Sequence, residues 1–432
     1  NPLSITRTSS RMGWYHNEFI PYVGDIRLDC GNDSLMRGVI SVGNFPGWLD
    51  GVGRIWRSKP EIAAFMCVGM ASTVLGKVGA DSFVCELHGP TELGKTKALE
   101  IVASMFGLPS TNGLMFIMDS TDNFSENILN SLNNVPMCLD ENEARRNSFE
   151  FQRMRNPENS WLYKVTANKG RQRMKSGSEA EAPTRWNTTL LVTGESSMVQ
   201  ETTAEGAQNR LVSIPITESV TDDFARLTRA IKANYGHMAK AFIRKLTAVN
   251  NLQDRLEDKF RLIKTIRPEV TSKMANNGSY VLVTLDIMES IIGKSALTPE
   301  IFVGYLKTKN DVDLTGTIYT SIMNWLAAKD SNTRYARDYI PEGDELLGDH
   351  YENTGEIIAV RHNGYVSVNK SKLDAFMQET FGKPLKDFQR RLAEKGYIVT
   401  SVSNGKTAYS IMDSYSGSKY RAVKISTSLL EK

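Results

Sequence analysis

An α/β fold, a parallel sheet covered by helices, is what this sequence predicts, and three features carry the prediction. Apolar runs of strand length alternate with segments of helical periodicity. The run at residues 82–87 passes directly into a Gly-rich loop and then into an amphipathic helix. Two later runs end in small or acidic polar residues, Asp140-Glu141 and Thr193-Gly194-Glu195. Strands that alternate with helices pair in parallel and are buried on both faces.

Taken in order, residues 1–58 are rich in Gly, Pro, Trp and Tyr, as in Gly13-Trp14-Tyr15 and Phe45-Pro46-Gly47-Trp48, and read as an N-terminal β-rich segment of short strands and turns. A helix follows from Pro60 to about Leu75. Its apolar stretch, 62–75, falls short of the ~20 residues a bilayer needs and contains Gly69, so it reads as a buried helix and not a membrane span. After the 82–87 strand and its loop, Ala98, Ile101, Val102, Met105 and Phe106 share one helical face, and Gly107 and Pro109 stop that helix. Asn123, with Glu126 as a capping-box partner, starts another helix that Asn133-Asn134 end. Strands are expected at 135–139, 187–192 and 211–216. Asp222 and Asp223 suit the start of a helix that Gly236 ends, and further helices cover 238–249 and 252–266.

Between Asp338 and Glu356 there are seven acidic residues, no Lys or Arg, and Pro341, Gly343, Gly348 and Gly355, which is linker or exposed-loop chemistry. Beyond it the order is a strand (365–368), a helix (373–381), a helix (384–395) ended by Gly396, and two strands (397–402, 406–412) joined across Ser403-Asn404-Gly405. That is the order of a winged helix-turn-helix. The expected division is a β-rich segment at 1–58, an α/β core built around the Gly-rich loop at 59–250, a helical region and linker at 251–345, and a winged-helix-like domain at 346–432.

Composition sets the bounds. At 432 residues the chain is too long for one core, so two to four domains are expected. Its 41% hydrophobic and 23% charged content is that of an ordinary soluble protein. It begins at Asn1 and not at a methionine, as a fragment or processed chain does, and shows no signal peptide. Cys30, Cys67, Cys85 and Cys138 form no CxxC pair, and the five histidines are scattered. The expectation is no structural metal cluster, no membrane, and a reducing, cytoplasmic setting. Net charge is only +3, but residues 360–432 hold 13 Lys+Arg against 6 Asp+Glu. A basic tail on a mildly acidic body suits a polyanion partner, or is a solvated surface.

Gly89-Pro90-Thr91-Glu92-Leu93-Gly94-Lys95-Thr96 has the G-x-x-x-x-G-K-T pattern. Its backbone N–H groups can wrap a phosphate at a helix N-terminus, and glycine permits the backbone angles and the close approach. Lys95 is placed to neutralise the β/γ-phosphates of ATP, and the Thr96 hydroxyl to ligate Mg²⁺. Asp140 and Glu141 end a strand 45 residues after Lys95. Asp140 suits a Mg²⁺ site reached through water, and Glu141 suits the base that deprotonates the attacking water, with Glu143 as its nearest rival. Thr193 can bond the same water or the γ-phosphate, and Glu195 is a weaker candidate nearby. Arg210, before another apolar run, can reach a nucleotide on a neighbouring subunit, or is a surface arginine. The stretch 161–178 holds Lys164, Lys169, Arg171, Arg173 and Lys175 and no acid. A basic loop or hairpin there can grip a phosphate backbone. In the tail, Lys386, Arg390 and Arg391 on the second helix and Lys406 on the wing are the candidate duplex-DNA contacts. No feature of these 432 residues supports nuclease, primase or ligase chemistry.

The order of phosphate loop, strand-terminal Asp-Glu, polar-tipped strand and then an Arg before a further strand resembles the AAA+ ATPases. Several segments are similar, more closely, to the MCM-like self-loading replicative helicases of mobile genetic elements such as staphylococcal islands and cassettes. They are Gly13-Trp14 with Pro21, the apolar helix before the loop, Gly94-Lys95-Thr96-Lys97-Ala98-Leu99, and Thr193-Gly194-Glu195-Ser196. The likeness covers roughly 13–250 and extends to the tail. It implies a P-loop NTPase core of AAA+ type, a hexameric ring, ATP-driven unwinding of DNA at replication initiation, contacts to single- and double-stranded DNA, a basic pore hairpin and a C-terminal winged helix. Thr193 departs from the Asn that many AAA+ proteins place there, and Arg226, Arg229 and Arg244 compete for the lid arginine. Two other functions fit the same motifs, a AAA+ protein remodeller and an ATP-switched origin-binding protein that does not unwind.

Overall fold

A computed structural model describes residues 7–117, 122–140, 157–170, 183–198, 205–336, 339, 356–403, 406–415 and 418–427. The chain forms two compact units, Asn1–Val312 and Asp313–Lys432.

The first unit opens with four short strands, β1 (Thr8–Ser9), β2 (Gly13–Tyr15), β3 (Glu18–Ile20) and β4 (Arg27–Leu28). Its centre is a five-stranded sheet of β5 (Phe83–His88), β6 (Met115–Ile117), β7 (Met137–Asp140), β8 (Thr189–Gly194) and β9 (Leu211–Pro215), in the spatial order β6-β7-β8-β5-β9. Every neighbouring pair is parallel. β5 and β8 are buried along almost their whole length, as strands covered on both faces must be. Four of the five strands lie where the hydrophobic runs put them. The fifth, β6, was not expected. It is three residues long and leaves Ile117 52% exposed, too little for a period to register.

Helix Pro60–Val78 covers this sheet, and Ile62 through Leu75 are buried without a break. By length and composition it could cross a bilayer, but most of it is packed inside the protein. Helix Lys95–Phe106 buries Ala98, Ile101, Val102, Met105 and Phe106, and Gly107 caps it.

The β-rich reading of 1–58 needs correction. Strands occupy only its first half, and residues Asp33–Gly38 and Phe45–Ser58 are helical. In the second of these, the Asn44 side chain accepts the Gly47 N–H, Pro46 sits in the first turn, and Trp48, Val52, Ile55 and Trp56 form one buried face. Gly47, Gly51 and Gly53 hid this helix as turn residues. Gly51 is there for close packing, since a Cβ on it would lie 2.3 Å from Ala230 Cβ on helix Phe224–Ala233. The buried indoles are satisfied, Trp48 Nε1 donating to Ser104 Oγ (2.8 Å) and Trp56 Nε1 to Gly293 O (2.8 Å). Beyond β9 the unit is helical, with Phe224–Ala233, Met238–Thr247, Leu252–Ile266, Ser272–Ile292 and Pro299–Gly304.

The second unit begins earlier than the expected boundary at 346, because helix Leu314–Ala328 buries Ile318, Ile322 and Leu326 in its core. Its strands are β10 (Thr333–Tyr335), β11 (Ala359–His362), β12 (Tyr365–Asn369), β13 (Ile398–Val399), β14 (Ser401–Ser403), β15 (Lys406–Ala408), β16 (Ile411–Tyr415) and β17 (Ser418–Ser426). Six of them form one sheet around the nine-residue β17, and β14 and β15 form a separate hairpin. The helix, helix, hairpin order is present in a unit richer in strand than the sequence suggested. The first helix is Lys370–Phe381. The second, expected over 384–395, is a 3₁₀ turn, Leu385–Asp387, followed by the short helix Gln389–Glu394. Asp374 Oδ1 accepts the Leu385 N–H (3.1 Å), and Leu385, Phe388 and Leu392 all turn inward. The acidic stretch 340–355 lies outside the described residues.

Three of the four thiols are sealed in the first core, where burial pushes the Cys67, Cys85 and Cys138 thiols up and the nearby carboxylates push the same way. Alkylation of the folded protein should therefore modify Cys30 alone, and denaturation should release the other three. Mass spectrometry of labelled peptides checks this, and rapid native labelling of Cys85 or Cys138 would contradict the buried sheet.

Candidate phosphate-binding site

The Gly89–Thr96 loop leaves the carboxyl end of β5 and is tied down on both sides. Ile216 N donates to His88 O (2.8 Å), Gly89 N to Gly194 O (3.2 Å), and Val220 N to Leu93 O (2.9 Å). Glycine is required at the second glycine of the loop. Gly94 has φ +87°, and a Cβ there would lie 2.5 Å from Phe224 Cε1. Gly94 is also the N-cap of helix Lys95–Phe106, and no side chain caps that helix. The N–H groups and positive dipole end of its first turn are thus directed at the loop, the setting in which helices bind phosphate. Lys95 Nζ donates to Gly89 O (2.8 Å) and Pro90 O (2.6 Å), so its ammonium sits inside the curl of the loop.

Three hydroxyl and carboxylate groups from three different segments meet beside it. Asp140, at the end of β7, accepts at one oxygen from Thr193 Oγ1 at the tip of β8 (2.6 Å) and from Thr96 Oγ1 at the start of the helix (3.2 Å). The sequence had nominated each of these residues separately, and the structure brings them together. They line a cavity of about 360 Å³ with Thr91, Lys95 and Phe224. Glu92 and Glu195 also border it. A larger cavity, about 570 Å³, lies against Gln253, Phe260 and Tyr280 and carries none of this chemistry. Among the described residues no group of three or more His, Cys, Asp or Glu is placed to hold a metal. A hydroxyl and one carboxylate beside a phosphate cradle is instead the sparse, hard-oxygen donor set that suits Mg²⁺, which keeps most of its ligands as water and phosphate.

Other nominated residues stand apart. Glu141, Arg171, Arg173 and Lys175 lie outside the described residues. Lys169 pairs antiparallel with Arg185, and Gly170 N donates to Thr184 O (2.9 Å), so the legs on either side of 171–182 run antiparallel. Arg210 is not in the cavity. Its carbonyl accepts from Val84 N at the start of β5 (2.9 Å), and the loop follows the other end of that strand, about 13 Å along it. Its guanidinium lies 4.7 Å over the Tyr163 ring and donates to Gly206 O. Arg226 is held by Asp50 through two hydrogen bonds (2.6 and 3.2 Å), which keeps the Asp50 carboxyl below its ordinary range. In the second unit, Lys386 is in the 3₁₀ turn, Arg390 pairs with Glu394 (2.8 Å), Arg391 lies over Phe388 (5.7 Å), and Lys406 starts β15.

Two residues, one lining the cavity and one buried in the strand that leads to it, were not singled out from sequence. Phe224 packs on Gly94, and its signal was only an aromatic following Asp222-Asp223. Glu86 lies buried in β5, and its signal was a lone acid inside an apolar run.

Parallel sheet, Gly-rich loop and uncapped helix together define a P-loop NTPase core. The family model described as a domain of unknown function (DUF927) matches residues 1–185. No curated protein matches the chain in sequence. The chain is similar in structure to the SCCmec type IV Cch active helicase, with a TM-score of 0.63 and 16% identity, over 94% of this chain and 74% of that one. An inhibitor-bound JCV helicase matches over 56% of this chain and 66% of its own, at 10% identity and a TM-score of 0.29, too low to define a shared fold. The first likeness is one of fold.

Gly94→Ala tests the loop geometry. A side chain at this φ and against Phe224 costs about 1–2 kcal/mol in the loop's own conformation. The substituted loop relaxes, and binding has to restore it, so Mg-ATP affinity should fall about tenfold or more with the fold intact. Calorimetric titration checks this, and unchanged affinity would contradict the close-packed loop.

Proposed function

We propose that the chain is an ATP hydrolase of AAA+ type that works as a ring-shaped DNA helicase, in the cytoplasm, at replication initiation of a mobile genetic element. The observation that carries the ATPase reading is the convergence of Thr96, Asp140 and Thr193 at the mouth of the Lys95 loop. The helix N-terminus and loop N–H groups hold the β- and γ-phosphates, and Lys95 exchanges its carbonyl contacts for phosphate oxygens. Thr96 and Asp140 would hold Mg²⁺, directly or through water, and the ion would supply counter-charge to the β/γ-phosphates. Thr193 fixes the Asp140 carboxylate and faces the γ-phosphate. Glu141, the residue after Asp140, takes the proton of the attacking water.

Arg210 is too far from its own loop to act there. What supports an in-trans role is its place at the opposite edge of the sheet, from which a second copy of the chain, in a hexamer, can present it. The helicase reading is supported by the fold likeness to the Cch active helicase and by the cations of 169–175 and of the basic second unit. The basic segment 169–175 is proposed to grip single-stranded DNA and couple turnover to movement. The second unit, with Lys386, Arg390, Arg391 and Lys406, is proposed to tether duplex DNA. Both contacts should weaken steeply with salt.

The test combines turnover with strand displacement on a forked duplex. The unsubstituted chain should show DNA-stimulated ATPase and displacement, and Lys95→Ala should abolish both while the protein stays folded. Arg210→Ala assemblies should also be inactive. Mixing them with Lys95→Ala subunits should restore part of the activity, because some interfaces then pair an intact loop with an intact Arg210. DNA-independent turnover without displacement would favour a protein remodeller, and no rescue in mixed oligomers would remove the in-trans arginine.

A further inference from the structure

Glu86 stands in the middle of β5, the strand that delivers the phosphate loop, and is only 2% exposed. A carboxylate in the interior of a parallel sheet is costly to bury unless its oxygens are satisfied. Here they are satisfied by neutral donors from two other segments. Oε1 accepts from Ser213 Oγ on β9 (2.5 Å) and from Ser197 Oγ, and Oε2 accepts the backbone N–H of Met198 (2.6 Å). Ser197 and Met198 follow Thr193-Gly194-Glu195 at the end of β8, with Ser196 between. The near side of that turn is fixed to the same strand by pairing of Leu87 with Thr193 and His88 with Gly194. The segment 193–198 is thus clamped twice onto β5, once through the backbone and once through Glu86. Between the clamps lies Glu195, which with Thr193 borders the phosphate cavity.

We propose that Glu86 is a positioning residue for nucleotide hydrolysis, holding the 195–198 turn so that the Thr193 hydroxyl keeps Asp140 in line with Thr96 and the phosphate loop. This rests on the ATPase reading and adds a residue to it. Two of the loop's three anchors, His88 O to Ile216 N and Leu93 O to Val220 N, do not pass through the 193–198 segment, and the third, Gly89 N to Gly194 O, lies on its β8 side, where backbone pairing of His88 with Gly194 holds it without Glu86. Losing Glu86 therefore spares the phosphate cradle and disturbs the side that acts on the γ-phosphate. A residue that served stability alone would lower affinity and turnover together.

Glu86→Leu and Glu86→Gln in the full chain separate these roles. Leucine suits a buried strand but removes the carboxylate that accepts from the Met198 N–H and the Ser197 and Ser213 hydroxyls. Glutamine keeps an oxygen for Met198 N–H and can donate its amide to the serine oxygens. The leucine variant should lose about tenfold or more in kcat, with affinity for a fluorescent ATP analogue within about twofold. The glutamine variant should stay within about threefold on both measures. If the leucine variant shows no cooperative melting transition, the Ser197→Ala/Ser213→Ala double variant, which removes donors from the far side, should show the same split with a smaller loss. Full turnover in the leucine variant (or, where that does not fold, in the double-serine variant), affinity falling in step with turnover, or a glutamine variant as damaged as the leucine one would each overturn the role. No turnover in the unsubstituted chain would instead count against the ATPase reading.

Discussion

In the central sheet Leu139 pairs with Val192 and Leu87 with Thr193, and on those two registers the chemistry of the first unit depends. Parallel strands bring their carboxyl ends to one edge, so the residues that end β5, β7 and β8 are neighbours although the chain separates them widely. A slip of one residue in β8 would turn Thr193 to the other face of the sheet and leave Asp140 with Thr96 alone. The register is held by burial. Leu190, Leu191 and Val192 of β8 and Phe83, Val84, Cys85 and Leu87 of β5 are essentially inaccessible to solvent, and a slip would expose or misplace several of them.

The opposite edge of the sheet is organised by asparagines instead. Asn134 accepts the Trp14 N–H (3.1 Å) and donates to Asn187 O (2.8 Å), and Asn133 donates to Met12 O (3.1 Å). Asn168 accepts from Ser82 N (2.9 Å) and donates to Asp81 (2.8 Å). Gly76 makes room for this cluster, since a Cβ on it would fall 2.1 Å from Asn134 Cγ. The N-terminal hairpin and the legs that bracket 171–182 are therefore fixed to the same strand beginnings. Satisfied polar groups of this kind restrict the backbone to one arrangement, where apolar packing would tolerate several.

The phosphate loop was legible because its chemistry acts through the backbone. Gly94 and the lysine-threonine pair are demanded locally, and eight consecutive residues carry the signal. Asp140 and Thr193 were legible as polar ends of apolar runs, although nothing in the sequence showed that they share a hydrogen bond. Helix Phe45–Ser58 was not legible, because its glycines serve helix packing and read as turns. The start of the second unit was missed for a related reason. Helix Leu314–Ala328 takes its place from the core it joins, and periodicity does not reveal which core that is. Glu86 is the extreme case, since its serine partners lie 111 and 127 residues away and only the folded sheet brings them to it.

Titration calorimetry of the full chain with ATP, with and without Mg²⁺, on the unsubstituted protein and on Asp140→Ala, tests the central assignment most directly. If the Lys95 loop and the Thr96, Asp140 and Thr193 array form one metal-dependent nucleotide site, binding has a stoichiometry of one per chain. Mg²⁺ tightens it, and Asp140→Ala removes that Mg²⁺ enhancement while leaving metal-free binding intact. No binding to the unsubstituted chain, or a Mg²⁺ response that survives the loss of Asp140, would contradict the account.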